Sequence, residues 1–373
     1  MLGRFQAGIS RGPRGRASAM TSASGSDGSL DNGKQMEGEE ELPEQKYKWL
    51  RTVGKGSYGS VNLVSCRGSA RLYVMKVVKN TTADEKVKVE AIREVNVLKL
   101  LSHPNIVTFK EGFRSAVGGK LCIVMDYCES GDLGQQIEHA ARMGDLIPRE
   151  IVLDWFVQLC LALKYLHRLH VLHRDLKPAN AFLTNNRRVL KLGDFGITKV
   201  LESTAANAIT TIGTPYYFSP ELCQNEPYGT KSDVWALGCI AYELLTLQVP
   251  FQAKGLGDLV QKILFTKPAS PSKKEYGMDL IRLVASMLAK APDRRPSVGE
   301  VLQTPVMVEH LESFLHRYAG MYRLGDLLAG GGGGSTAETA AASPATAETV
   351  APETVANGGG PGETVNEVAP PPA

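Results

Sequence analysis

The chain has 373 residues, 43% of them apolar, enough to bury a sizeable core. Its net charge of +3 is uneven: residues 1 to about 46 carry 6 basic and 7 acidic side chains, the middle to 318 carries 35 and 26, and the remainder 1 and 6. The basic residues of the middle are scattered, not packed in blocks, which suits an anionic ligand such as a nucleotide and argues against nucleic acid, and no apolar run approaches the ~18 to 20 residues needed to cross a bilayer, which argues against a membrane.

Residues 1–46, rich in Gly, Ser and Glu, read as a disordered head, and 319–373, running through Gly330 to Gly334 into Ala, Thr, Pro and Gly, read as a disordered low-complexity tail. Gly3, Gly8, Gly12, Pro13 and Gly15 would spoil the amphipathic helix of a transit peptide, and no secretory apolar stretch follows the start. Six cysteines (66, 122, 128, 160, 223 and 239) show no C-x-x-C pair and no zinc or disulfide spacing, so they read as reduced and the protein as cytoplasmic. One domain from 47 to 318 is expected, with a small lobe at 47–124, a hinge at 125–130 and a larger lobe at 131–318.

Trp49 to Val53 and Val61 to Val64 read as short strands flanking Gly54-Lys55-Gly56-Ser57-Tyr58-Gly59-Ser60-Val61. Because β-branched Val61 opens a second strand, the pattern is a hairpin and not the strand-to-helix turn of a dinucleotide fold. Glycine backbone can lie close over phosphates, and Val61 can pack on adenine. Tyr73-Val74-Met75-Lys76 reads as a buried strand carrying one functional cation. An acid must hold that ammonium, and the amphipathic helix Asp84 to Leu100 offers Glu90 and, one turn on, Glu94. Leu121 to Met125 reads as another buried strand, with Met125 at the back of the adenine pocket. Asp126 to Gly131 is the crossing to the second lobe, whose backbone would bond adenine, with Cys128 as a small apolar residue there. Asp132, at the next helix start, is placed for ribose.

The strongest pattern is His173-Arg174-Asp175-Leu176-Lys177-Pro178-Ala179-Asn180, with Asp194-Phe195-Gly196 downstream. Phosphoryl transfer needs an oriented hydroxyl and divalent metal against phosphate charge. Asp175 would orient the hydroxyl, Lys177 would touch the moving phosphoryl, and Asn180 with Asp194 would hold Mg2+.

Together these motifs resemble the eukaryotic protein kinase superfamily over nearly all of 47–316. Leu192 to Lys199, Gly213 to Glu221 and Lys231 to Cys239 are similar to the corresponding stretches of NIMA-related (Nek) kinases. The resemblance implies an α+β bilobal fold, a small antiparallel sheet with one helix joined to a helical lobe, and ATP with Mg2+ in the cleft. It selects Glu94, by its spacing to His103-Pro104-Asn105, as the partner of Lys76. It pairs Glu221 with Arg295 and ties Asp233 to the catalytic loop.

Lys177 and Thr214 in their motifs imply protein Ser/Thr substrates. A pseudokinase scaffold is opposed by the full catalytic set, and a small-molecule phosphotransferase by the peptide-binding segment Ile197 to Glu221. Activation by phosphorylation of Thr210 or Thr211 is expected. Val74 and Phe182 stand where many relatives have Ala and Leu, so the adenine sandwich would be tighter. No heptad run follows the domain, so coiled-coil self-association is not expected. Nuclear, centrosomal or ciliary roles are implied by the family alone.

Overall fold

Period-2 alternation builds the first lobe. A computed structural model of the protein describes residues 45–56, 59–78, 95–115, 119–194, 215–318 and 320. Strands β1 (Tyr47–Gly56), β2 (Gly59–Cys66), β3 (Leu72–Val78), β4 (Phe109–Arg114) and β5 (Leu121–Asp126) form one antiparallel sheet in the order β1-β2-β3-β5-β4. Tyr73 and Met75 pack with Phe113 and Cys66 against Tyr47, Val64 and Val124 on one face. Val74 and Lys76, alternating with them, belong to the opposite face.

The hairpin strands are longer than the sequence suggested, because pairing continues through the glycines to Lys55↔Ser60 and Gly56↔Gly59. A Cβ at Gly59 would stand 2.0 Å from the Val77 carbonyl oxygen, so only glycine lets β2 approach β3 there. Two expectations need correction. The strand around Lys76 is only partly covered along Tyr73 to Val78, because one of its faces borders an open cleft. The crossing starts later than residue 125, because Met125 and Asp126 still pair with Val74 and Tyr73, and the next helix begins at Leu133. Of the helix expected over Asp84 to Leu100, residues 95–100 are described and helical. Glu94, Ser57, Tyr58 and the segment 195–214, with Ile197, Thr210 and Thr211, lie outside the described residues, as do the head through 44 and the tail from 321.

The second lobe is helical: α1 (Leu133–Met143), α2 (Arg149–Arg168), α3 (Pro220–Cys223), α4 (Thr230–Thr246), α5 (Leu256–Phe265), α6 (Lys273–Met287), α7 (Val298–Leu302) and α8 (Pro305–Arg317). α2 and α4 are apolar around most of their circumference, and both are buried as such helices must be. Between α2 and α3 a two-stranded ribbon, β6 (Ala181–Thr184) with β7 (Val189–Leu192), lies against α2. The ribbon also joins the lobes: Leu192 donates to the Asn105 carbonyl at 2.8 Å, and Val107 donates back to Leu192 at 3.0 Å. The buried Asn105 amide then bonds Gln158 of α2 and the Leu190 carbonyl.

Candidate active site

The cleft holds a cavity of about 520 Å³, within the usual range for a small-molecule site. Its upper wall is Val53, Gly54, Val61 and Val74 of the sheet, and its lower wall includes Phe182 of β6. Met125 and Cys128 line it from the β5 side, and burial pushes the Cys128 thiol up to about 12, so it serves there as a small apolar group. The two departures noted in the sequence, Val74 and Phe182, therefore border the same space. Of the glycine-loop residues, Val53, Gly54 and Val61 line the cavity, whereas Lys55, Gly56, Gly59 and Ser60 form the hairpin beyond it.

Asp132 lines the cavity and caps α1, its carboxylate accepting from the Gln135 amide at 3.0 Å and from Gln135 Nε2 at 2.8 Å. Burial raises its pKa against those bonds. Sequence reasoning missed Val107 and Gly193. No local signal marks either one. The parallel bridge Ile106↔Leu192 brings them together, and a Cβ at Gly193 would lie 2.8 Å from Val107 Cγ2.

The catalytic-loop residues converge. Asp175 Oδ2 accepts from Lys177 Nζ at 2.8 Å and from Asn180 Nδ2 at 3.0 Å, and Asn180 Nδ2 also reaches the Asp175 carbonyl at 2.7 Å. Asn180 is 4% exposed, and its carbonyl accepts from Gly193 N at 3.0 Å, linking this loop to the residue before Asp194. Asp194, in the left-handed region at φ 52°, accepts from Lys76 Nζ at 3.0 Å. That pair crosses from the sheet to the helical lobe, and the sequence did not announce it.

The loop is held from below by Asp233, fully buried at the start of α4. Its carboxylate accepts the backbone amides of His173 at 3.0 Å and Arg174 at 3.2 Å, the Tyr228 hydroxyl, and bonds His167 Nε2 at 2.8 Å. Burial alone would raise this acid, but its bonds to His167 and Tyr228 and the nearby His173 outweigh it and hold the pKa below the ordinary range. Burial pushes His173 down. Arg174 takes φ 66° and makes no side-chain hydrogen bond or ion pair among the described residues.

A nucleotide and a divalent ion fit these residues. Asn180 Nδ2 is engaged with Asp175, which leaves Oδ1 to join the Asp194 carboxylate as hard oxygen donors. Among the described residues no group of three or more His, Cys, Asp or Glu could hold a metal. A two-donor site of this kind suits an ion that completes its shell with phosphate and water.

Comparison with known proteins follows the same outline. The protein kinase domain family matches residues 47–307. The serine/threonine-protein kinase Nek4 of Mus musculus is 45% identical over 274 residues, which is 74% of this chain and 34% of that protein. Nek1 of Mus musculus is 46% identical over 273 residues, 73% of this chain and 22% of that protein, and Nek5 of Homo sapiens is 39% identical over 272, 72% and 37%. The matched region spans roughly a fifth to over a third of the length of these relatives. With the family matched over most of its length and the catalytic loop, cleft and bilobal fold in place, the chain belongs to the protein kinase domain family, and its kinase domain is similar to those of the Nek kinases.

Proposed function

We propose that this chain transfers the γ-phosphoryl of ATP to Ser or Thr hydroxyls of protein substrates with Mg2+. The observation that carries the reading is the hydrogen-bonded set Asp175, Lys177 and Asn180 beside the Lys76–Asp194 pair at the edge of an apolar cleft. Asp175 orients the acceptor hydroxyl and takes its proton as the new O–P bond forms and the bridge to the β-phosphate breaks. Lys177, 2.8 Å from Asp175, neutralises charge on the moving phosphoryl. Asn180 and Asp194 would hold the ion, which would supply charge neutralisation of the phosphates. Lys76, oriented by Glu94, grips the α- and β-phosphates. Val53 to Val61 cover them, and Cys128 and Asp132 border the nucleoside.

The domain we assign to this activity runs from 47 to 318. Six unbridged thiols support a reducing, intracellular setting, and among the described residues no helix is long and apolar enough to cross a membrane. Incubation with labelled ATP and Mg2+ or Mn2+ and a protein, sugar or aminoglycoside acceptor tests the reading. Label on protein Ser or Thr is expected. Label on a small molecule alone, or none on any acceptor, would overturn it.

Activation follows from Arg174, which has no side-chain partner among the described residues and so can receive a phosphate from Thr210 or Thr211. That group adds about −1.5 to −2 charges, which Arg174, next to Asp175, would pair. Mass spectrometry after incubation with ATP is expected to find the modification. Full activity in the Thr210→Ala, Thr211→Ala double variant would remove the proposal.

Substrate choice should follow from what the loop lacks. Ala179 stands where an acid would grip Arg upstream of the acceptor, and Ile197, after Asp194-Phe195-Gly196, favours Thr. A degenerate peptide library is expected to select Thr over Ser with Leu or Phe three positions upstream, by roughly 10- to 200-fold for a buried apolar contact. Dominant selection of Arg upstream, or of Ser, would contradict it.

A further inference from the structure

A separate cavity of about 400 Å³ lies in the helical lobe and shares no lining residue with the cleft. Its walls come from three places in the chain: Tyr242 near the end of α4, Ile281, Val284 and Leu288 along α6 and its cap, and the segment 267–271 that leads from α5 to α6. That segment reads Lys-Pro-Ala-Ser-Pro, and the fixed φ angles of its two prolines keep the wall in shape, so little chain entropy is lost when something binds against it. A preformed, mostly apolar cavity of this volume suits a small molecule.

All the charge on the lining is positive. Lys267 and Lys290 contribute it, and among the described residues that line the cavity there is no Asp or Glu. Lys267 is exposed and makes no side-chain hydrogen bond or ion pair among the described residues. Lys290 is partly buried, and its ammonium meets neutral groups: it donates to the Ile263 carbonyl and lies 4.3 Å from the Phe251 ring centroid and 5.1 Å from that of Trp235. Burial pulls its pKa down to about 8, as expected of an ammonium short of counter-charge. Glu243, beside the lining Tyr242, is taken by the Tyr217 hydroxyl at 2.6 Å. An apolar body therefore matches the walls, and a single anionic head matches the two ammoniums, which as compact point charges do not require the flat two-pronged partner of an arginine. The cavity also touches the brace of the lobe, since the carbonyls of its lining residues Ala289 and Lys290 accept from Arg295 Nε and Nη2, each at 2.8 Å.

We propose that this cavity binds a small amphipathic carboxylate, an apolar chain whose head group pairs with Lys267 and Lys290. The proposal does not depend on phosphoryl transfer, since its readout is binding at a place apart from the cleft. The probe is octanoate, compared with octanol and octylamine, each titrated against the full chain by isothermal titration calorimetry with the melting temperature as a second readout. Octanoate is expected to bind saturably, to raise the melting temperature, to bind less tightly as salt rises and to be indifferent to saturating ADP. Octanol and octylamine should bind at least about tenfold more weakly. Lys267→Glu should weaken octanoate binding by about tenfold, and Ala285→Trp, which adds bulk at an exposed lining position of α6, should remove it, both without lowering the melting temperature of the unliganded protein. Lys290→Met keeps an apolar stem against the rings but removes the ammonium, so it should weaken octanoate and leave octanol unchanged. Equal binding of octanoate and octanol, competition by ADP, no saturable binding, or octanoate binding unchanged in Lys267→Glu and Ala285→Trp would overturn the proposal.

Discussion

Asp175→Asn is expected to lower the turnover number by at least about 10²-fold, the usual contribution of a positioned base, while the fold stays intact. An asparagine oxygen can still accept from Lys177 and Asn180, the two donors now 2.8 and 3.0 Å from Asp175 Oδ2, so the loop keeps its shape. What the amide cannot do is take up the hydroxyl proton. Lys76→Met should cause a comparable loss by a different route, because it removes the cation that bonds Asp194 across the cleft. Single-turnover kinetics against a wild type expected at ~1 to 100 per second measure both effects, with circular dichroism as the folding control. Retention of more than about a tenth of the wild-type rate by either variant would show that its assigned role is wrong.

Arg295→Ala is expected to destabilise the helical lobe by about 3–5 kcal/mol, because it strands a buried carboxylate. Arg295 is 1% and Glu221 4% exposed, and they meet in a two-pronged pair with both nitrogen–oxygen distances at 2.8 Å. The remaining guanidinium hydrogens go to the carbonyls of Ala289, Lys290 and Lys231, and the guanidinium lies 5.0 Å from the Trp235 ring centroid. Ser232 Oγ donates to the same carboxylate at 2.6 Å. At about 2–4 °C per kcal/mol for a domain of this size, the melting temperature should fall by roughly 10 °C. Replacing both partners, Glu221→Leu with Arg295→Met, should recover part of that loss, since both charges leave together.

The pH dependence of this pair has a definite sign. Burial works to raise the Glu221 carboxyl, but its bonds to Arg295 and Ser232 outweigh it and hold the pKa below the ordinary glutamate range. A depressed acid adds stability that is present above the unfolded-state pKa and is lost as pH falls through the folded one. The gap in melting temperature between wild type and Glu221→Gln should therefore be full near neutrality and narrow as pH drops below about 4 to 5. A gap that does not change with pH, or an Arg295→Ala variant melting within 2 °C of wild type by this measure, would contradict the assignment of the pair as a buried, ionised brace.

Much of the candidate site was legible before any coordinates because phosphoryl transfer demands particular groups at short spacing along one loop. Asp175, Lys177 and Asn180 lie within six residues of one another, so local geometry alone can bring them together, and in the structure they share hydrogen bonds. The hairpin was legible for a similar reason: glycines flanked by β-branched residues leave the backbone few other choices. Strand ends were less legible, since pairing through Gly56↔Gly59 depends on the neighbouring strand and not on side-chain pattern.

The sequence by itself determined the chemistry, namely which residues carry charge, oxygen donors and glycine freedom, because these are properties of side-chain type and local spacing. It also determined the family resemblance and the sign of charge along the chain. Only the tertiary structure decided which distant groups meet. Lys76 reaches Asp194 across 118 residues, and Val107 meets Gly193 through a single bridge. Contacts of that kind depend on how whole elements bury their faces against one another, a global balance of packing and chain entropy that no short window of residues contains.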